Sequence, residues 1–442
     1  MHLIFLLFTL TVAAQYNLVD DYNPTNFASK FNFFTGNDPT NGYVNYISYD
    51  TARSSGLYSV SDNQVYVGVD SSNKATGRGR NSIRLESINS YKYGLIILDL
   101  AHMPGSVCGS WPAFWTLGVG ETWPYAGEID IIEGVNSQQS NSMAIHTDAG
   151  CSISNDGNMA AQVVTTNCDV NAPNQANNQG CAVSYANTGS YGDGFNAQGG
   201  GVYATEITSA GVSIWFFARG AIPADVSSGS PDPALWGLPT GRFAGPCDWN
   251  DKIAAQQIIF DVTFCGDWAG NVFSTDPVCS PKANTCQDYV QNNPSAFKES
   301  YWSVNSLRVF QQGAPGVAPS SSRTSPSITT TNFASTPSPI MTTLTTVTQV
   351  SLSTTTTFPI ASLSPNTYTP IAASQTGTTP MAPTTTTEFL ASTNPTTANT
   401  VAASPASASA SQSRWSSWQG GWNSAAGQRP WNNFAGQGQR GG

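Results

Sequence analysis

Residues 123–136 read WPYAGEIDIIEGVN and set three carboxylates, Glu128, Asp130 and Glu133, among three isoleucines. Two carboxyl groups flanking one acetal can break it. One attacks as an anion, and the other gives a proton to the departing oxygen and later acts as a base for water. The β-branched isoleucines favour a strand. Side chains on a strand alternate, so Glu128 and Asp130 share a face and Glu133, five positions on, falls on the other. A β-bulge at Ile131–Ile132 returns Glu133 to the acidic face and keeps both isoleucines packed. The outer Cα atoms then lie ~13 Å apart. Glutamates leaning inward on a concave sheet close the carboxyl gap to ~5–6 Å, the retaining geometry; an inverting enzyme needs ~6.5–9.5 Å. Asp130, between them, is placed to orient Glu128 and to hold Glu133 protonated by like-charge repulsion. A calcium site at the same acids is the alternative reading.

These acids need a rigid frame. Short β-type runs recur at 64–69, 82–87, 94–99, 128–133, 202–207, 212–218 and 257–264, separated by Gly, Asn, Asp and Ser clusters. No helix-period stretch exceeds two turns. Many short strands with turn signals predict an all-β sandwich or jelly roll. Flat aromatic faces suit the C–H faces of sugar rings. Trp111, Trp115, Trp123, Trp249 and Trp268 are candidate platforms, and each has the alternative of filling the core. Trp111 and Trp115 are four apart and share one face of a regular strand. Trp215, inside VSIWFF, is expected in the core, and Arg84 is expected to pair with a core acid.

The chain has 442 residues, of which only 10% are charged, with net charge −10 and 11% aromatics. Such a composition excludes a long coiled coil, and the acidity excludes a typical nucleic-acid binder. Residues 15–313 hold 13 basic against 26 acidic side chains, which suits a neutral ligand. The opening MHLIFLLFTLTVAA resembles a signal peptide cut after Ala14, with an apolar run too short to span ~30 Å of hydrocarbon. Export permits the 8 cysteines to form four bridges, whose pairing the sequence leaves open. No metal spacing of cysteines occurs, so neither a metal nor a cofactor is expected. More than half of residues 315–412 are Ser, Thr or Pro, and only Arg323 and Glu388 are charged there. The expected organisation is a leader at 1–14, a catalytic domain at 15–313, a Ser/Thr/Pro-rich stalk at 314–412 and a Trp/Gly/Gln-rich tail at 413–442.

The chain resembles glycoside hydrolase family 16, in its fungal laminarinase-like branch. GSWPAFWTLG, WPYAGEIDIIEGVN and AIHTDAGC carry the resemblance, which continues through YATEITSAGVSIWFF and FDVTFCGDWAG over roughly residues 16–312. It implies a β-jelly roll of two curved antiparallel sheets, concanavalin-like, with a sugar cleft across the concave one. It assigns Glu128 as nucleophile, Glu133 as acid/base and Asp130 as assisting carboxylate. It makes His146 a cleft histidine near the acid/base, and Trp111, Trp115 and Trp268 sugar contacts. One departure is Ile207, where relatives often carry Trp after the residue matching Glu206. The implied protein is a secreted, monomeric endo-1,3(4)-β-glucanase acting on β-glucan, with no nucleic-acid partner and no membrane partner once the leader is cut. A transglycosylase on the same fold and a silent glucan-binding wall protein are the alternatives.

Overall fold

The computed structural model describes residues 15–313. The expected leader, stalk and tail, at 1–14, 314–412 and 413–442, lie outside the described residues. Two eight-stranded sheets face each other, and every pairing within them is antiparallel. One sheet runs in the order Gln162–Thr165, Cys181–Ser184, Ser142–His146, Glu128–Glu133, Ser110–Gly118, Gln256–Phe264, Leu85–Tyr91, Phe31–Phe33. The other is built around Gly94–His102, flanked by Gly201–Thr208 and Tyr301–Gln312. Strands distant in sequence are thus neighbours in space, as in the expected jelly roll. The longest helix, Cys286–Asn292, has seven residues. Among the described residues no helix is long and apolar enough to cross a membrane.

The core lies between the sheets. Ile96, Leu98 and Leu100 enter it from one side, and Phe114, Ile258, Phe260 and Val262 from the other. Leu95 and Ile97 point the opposite way, into a satellite cluster with Val202, Trp215 and Phe310. That double burial explains why residues 94–100 read as a continuous apolar run. Trp215 is buried as expected, in the satellite cluster rather than between the sheets. Trp249 fills the main core and reaches no cleft. The run at 82–87 proves to be two elements. Arg80–Ser82 pairs in parallel with Val44–Tyr46, and Leu85–Tyr91 joins the acidic strand's sheet.

All eight cysteines pair, as Cys108–Cys279, Cys151–Cys247, Cys168–Cys181 and Cys265–Cys286. Cys108–Cys279 anchors the stretch after residue 265 against the segment that leads into Ser110–Gly118, and Cys265–Cys286 closes that stretch on itself at the end of Gln256–Phe264. Arg80 is fully buried. Its guanidinium donates to the carbonyls of Asp70, Asn73 and Val290 and lies 4.5 Å from the centre of the Phe297 ring. One side chain thereby ties the helix Cys286–Asn292 to the loop after Gln64–Gly68. Arg80→Leu takes the donor from the buried Val290 carbonyl and cuts the link to the 70–73 loop, and roughly 3 kcal/mol of stability is expected to be lost. Urea denaturation followed by tryptophan fluorescence measures it.

Candidate active site

The acidic strand begins after Gly127, whose φ of 76° is left-handed. A Cβ there would stand 2.4 Å from the Lys252 carbonyl oxygen, so the close approach requires glycine. Glu128 lies opposite Leu117 on one neighbour and His146 on the other. Asp130 lies opposite Trp115 and Ala144, and Glu133 opposite Ala113 and Ser142. The register skips a residue between Asp130 and Ile132, so the expected bulge is present. Ile131 and Ile132 are both fully buried in the core. The buried Asn141 spans the bulge with its carboxamide. Its Oδ1 accepts from the Glu133 backbone N–H at 3.0 Å, and its Nδ2 donates to the Ile131 carbonyl at 2.7 Å.

The bulge puts all three acids on the wall of one open cleft of about 400 Å³. Trp111, Trp115 and Trp123 line the same cleft. Trp111 Nε1 donates to Glu133 Oε1 at 2.8 Å, and Trp123 Nε1 donates to Glu128 Oε2. Trp268 lies beside the cleft wall, its ring centre 5.6 Å from that of Trp111 and nearly perpendicular to it. His146 is buried, with Nε2 3.1 Å from Asp130 Oδ2. The structure therefore ties this histidine to Asp130 and sets it across from Glu128, because the cross-strand register pairs those two positions. Arg84 does pair with acids: Nε reaches Glu86 at 2.9 Å and Nη1 approaches Asp261 at 3.7 Å. Its guanidinium also stands 5.1 Å from the centre of the Trp115 ring.

Burial dominates the electrostatics. It raises Glu128 to about 7, with Asp130 adding repulsion and His146, the Trp123 N–H and Arg84 drawing it back. Burial raises Asp130 to about 8. Glu133 stands well above the usual carboxyl range, through burial and then the Asp130 charge. All three carboxyls thus stand above their ordinary range and titrate together rather than one by one. Asp261 is raised to about 7 by burial, with Arg84 opposing. Among the described residues the one group able to grip a metal ion is Glu128, Asp130 and His146, whose donor atoms lie within 4.8 Å of one another. All three belong to the acid cluster itself.

The model of the XgeA-like catalytic GH16 domain matches residues 31–310. The chain belongs to glycoside hydrolase family 16. It is similar to an endo-1,3(4)-β-glucanase of Arthroderma benhamiae, 50% identical over 312 residues, which cover 70% of this chain and 68% of the relative. The chain spans 42–48% of the length of the other curated glucanases it matches. Among solved structures, an elongating GH16 β-1,3-glucosyltransferase is 43% identical with a TM-score of 0.63, covering 67% of this chain and 100% of that one. The GH16 laminarinase 16A of Phanerochaete chrysosporium, with two β-glucans in its donor and acceptor sites, is 41% identical with a TM-score of 0.63 over the same shares.

Within this GH16 domain, sequence reasoning passed over Asp261, Glu86 and Asn141, and it named Trp123 as a platform without its bond to Glu128. Asp261 was legible: FDVTF alternates, so Asp261 and Thr263 face away from Phe260, Val262 and Phe264. Glu86, two residues from Arg84, carried the same period-2 signal. Trp123 was one aromatic among several, and nothing local tied it to Glu128. Asn141 carried no signal, since its role depends on the neighbouring strand.

A carboxyl raised on folding binds more protons folded than unfolded. Its contribution to stability is whole below the unfolded value of about 4.5 and is lost as pH rises through about 7. The domain is therefore expected to melt a few degrees lower at pH 8 than at pH 5, at about 1.4 kcal/mol per pK unit. Glu128→Gln should flatten that slope. Thermal melts of both proteins across this range are the measurement.

Proposed function

We propose that this GH16 domain cuts internal β-1,3 linkages of β-glucans, and β-1,4 linkages adjacent to them, by double displacement with retention. The observation that carries the reading is the bulge that turns Glu128 and Glu133 toward one cleft. The names of the similar proteins, endo-1,3(4)-β-glucanase and laminarinase, supply the substrate class. In the first step a Glu128 oxygen attacks the anomeric carbon as the glycosidic C–O bond breaks. Glu133 gives its proton to the leaving oxygen, and a glycosyl ester on Glu128 results. In the second step Glu133, now a carboxylate, takes a proton from water, whose oxygen displaces Glu128 from the anomeric carbon. The raised proton affinity of Glu133 supports its role as the acid, and the pull of His146, the Trp123 N–H and Arg84 on Glu128 supports its role as the anion. Asp130 lies between them and supplies repulsion that keeps the Glu133 proton in place. Trp111 and Trp115 offer their rings to the sugar faces. The leader-like opening and the four disulfides support a secreted enzyme.

A second reading has its own support. The similarity to an elongating β-1,3-glucosyltransferase is as strong as that to the laminarinase. In that reading a sugar hydroxyl replaces water in the second step. A silent glucan-binding protein is disfavoured, because all three acids are present and face one cleft.

Glu128→Ala and Glu133→Ala are each expected to lower laminarin hydrolysis by at least ~10²-fold with the circular dichroism unchanged. Normal hydrolysis by either variant removes that residue from the mechanism. The first product seen by proton NMR should be the β-anomer; an α-anomer would mean inversion. Oligosaccharides longer than a laminariheptaose substrate would mark transfer over hydrolysis, and their absence would favour the hydrolase.

A further inference from the structure

We infer that Trp123 and Trp111 are positioning residues: the indole N–H of Trp123 holds Glu128, and that of Trp111 holds Glu133, at the angles the reaction needs. The inference rests on the two-step reading above and extends it to the groups that aim the carboxylates.

Each glutamate reaches the cleft on a flexible side chain, and its carboxyl group can rotate. A misplacement of ~1 Å is enough to cost ~10²-fold in rate. The two glutamates receive an indole N–H each, Trp111 Nε1 to Glu133 Oε1 at 2.8 Å and Trp123 Nε1 to Glu128 Oε2. Indole nitrogen donates and never accepts, and it carries no charge. It therefore orients a carboxyl group without the strong drop in proton affinity that a lysine or arginine would impose.

Both rings are themselves held. Trp111 stands one pleat along from Ala113, the residue opposite Glu133, and its ring meets that of Trp268 in a T-shaped contact at 86°. Trp123 opens a turn closed by the bonds from Tyr125 N–H to the Thr122 carbonyl and from Gly127 N–H to the Pro124 carbonyl. Both rings line the cleft, so a sugar resting on either one also presses on the carboxyl it holds. With Glu133 Oε1 taken by the indole, Oε2 is left for the transferable proton. At Glu128 the N–H favours the anion that attack requires. The charged or titratable groups facing Glu128 are Asp130, His146 and Arg84. Those facing Glu133 are Asp130, His146, Glu128 and the Tyr191 phenol.

The test uses the full chain with Trp111→Phe and Trp123→Phe, which keep a ring and remove the N–H. Each variant is assayed on laminarin and on a nitrophenyl β-1,3-glucobioside, whose phenolate leaves without being protonated. Trp111→Phe should lose roughly 10–100-fold in kcat/KM on laminarin and less than about 3-fold on the aryl substrate, because only the first needs the acid. That ratio does not depend on how much of the protein has folded. Trp123→Phe should lose roughly 10–100-fold on both, and the acidic limb of its kcat/KM profile should move up by about one pH unit. Equal losses of Trp111→Phe on both substrates, or an unmoved acidic limb in Trp123→Phe, overturn the assignment for that residue. A wild-type chain that cleaves neither substrate overturns the glucanase reading, and the clamps with it.

Discussion

One extra residue in the strand Glu128–Glu133 governs the site. Without it, Glu133 would face the core and one of the two consecutive isoleucines would face the cleft. Burying an ionised carboxyl without a partner costs several kcal/mol, and exposing an isoleucine forfeits ~1.5–3 kcal/mol more. The bulge avoids both losses, since Ile131 and Ile132 are fully buried while Glu133 reaches the cleft. A bulge leaves backbone groups without a ladder partner. The Asn141 carboxamide takes up one N–H and one carbonyl there, at 3.0 and 2.7 Å. The local departure from regular pleating is thus held by hydrogen bonds as well as by packing.

The acids that the bulge assembles share a poorly solvated cleft wall. Burial raises all three, Asp130 adds repulsion at both glutamates, and a hydrogen bond with Glu128 draws Asp130 part of the way back. The lining of the cleft includes one arginine, Arg84. Arg84 is engaged by Glu86 and Asp261, and the partners in direct hydrogen-bond contact with the glutamates are neutral indoles. A lysine in the same place would hold both glutamates ionised and leave no acid for the leaving oxygen. Neutral donors of this kind suit the proposed mechanism, in which two carboxyls of one cavity hold different protonation states.

The frame around the acids is stiffened from outside the sheets. Cys265–Cys286 closes the loop that carries Trp268, and Cys108–Cys279 ties that loop to the start of the strand bearing Trp111. Arg80 fastens the helix Cys286–Asn292 from the other side. The edge-to-face contact of Trp111 and Trp268 thus sits between covalent and hydrogen-bonded anchors, which suits a ring that must stay still.

What the sequence determined by itself was the chemistry and the local form. Three acids among β-branched isoleucines at that spacing admit a catalytic pair only if the strand is bulged. The alternation around Trp111 and Trp115 set their common face. The strand runs and turn clusters marked an all-β sandwich, and the match over residues 31–310 places it in family 16. Tertiary structure alone decided who touches whom. His146 meets Asp130 because of cross-strand register, and Asn141 meets the bulge because two strands lie side by side. Trp249 and Trp123 read alike as residues, yet one fills the core and the other holds Glu128. The eight cysteines admitted many pairings, and only the fold selected four bridges. The reason is physical: periodicity and side-chain chemistry are local properties of a chain, whereas a contact between distant segments depends on how the sheets register and twist.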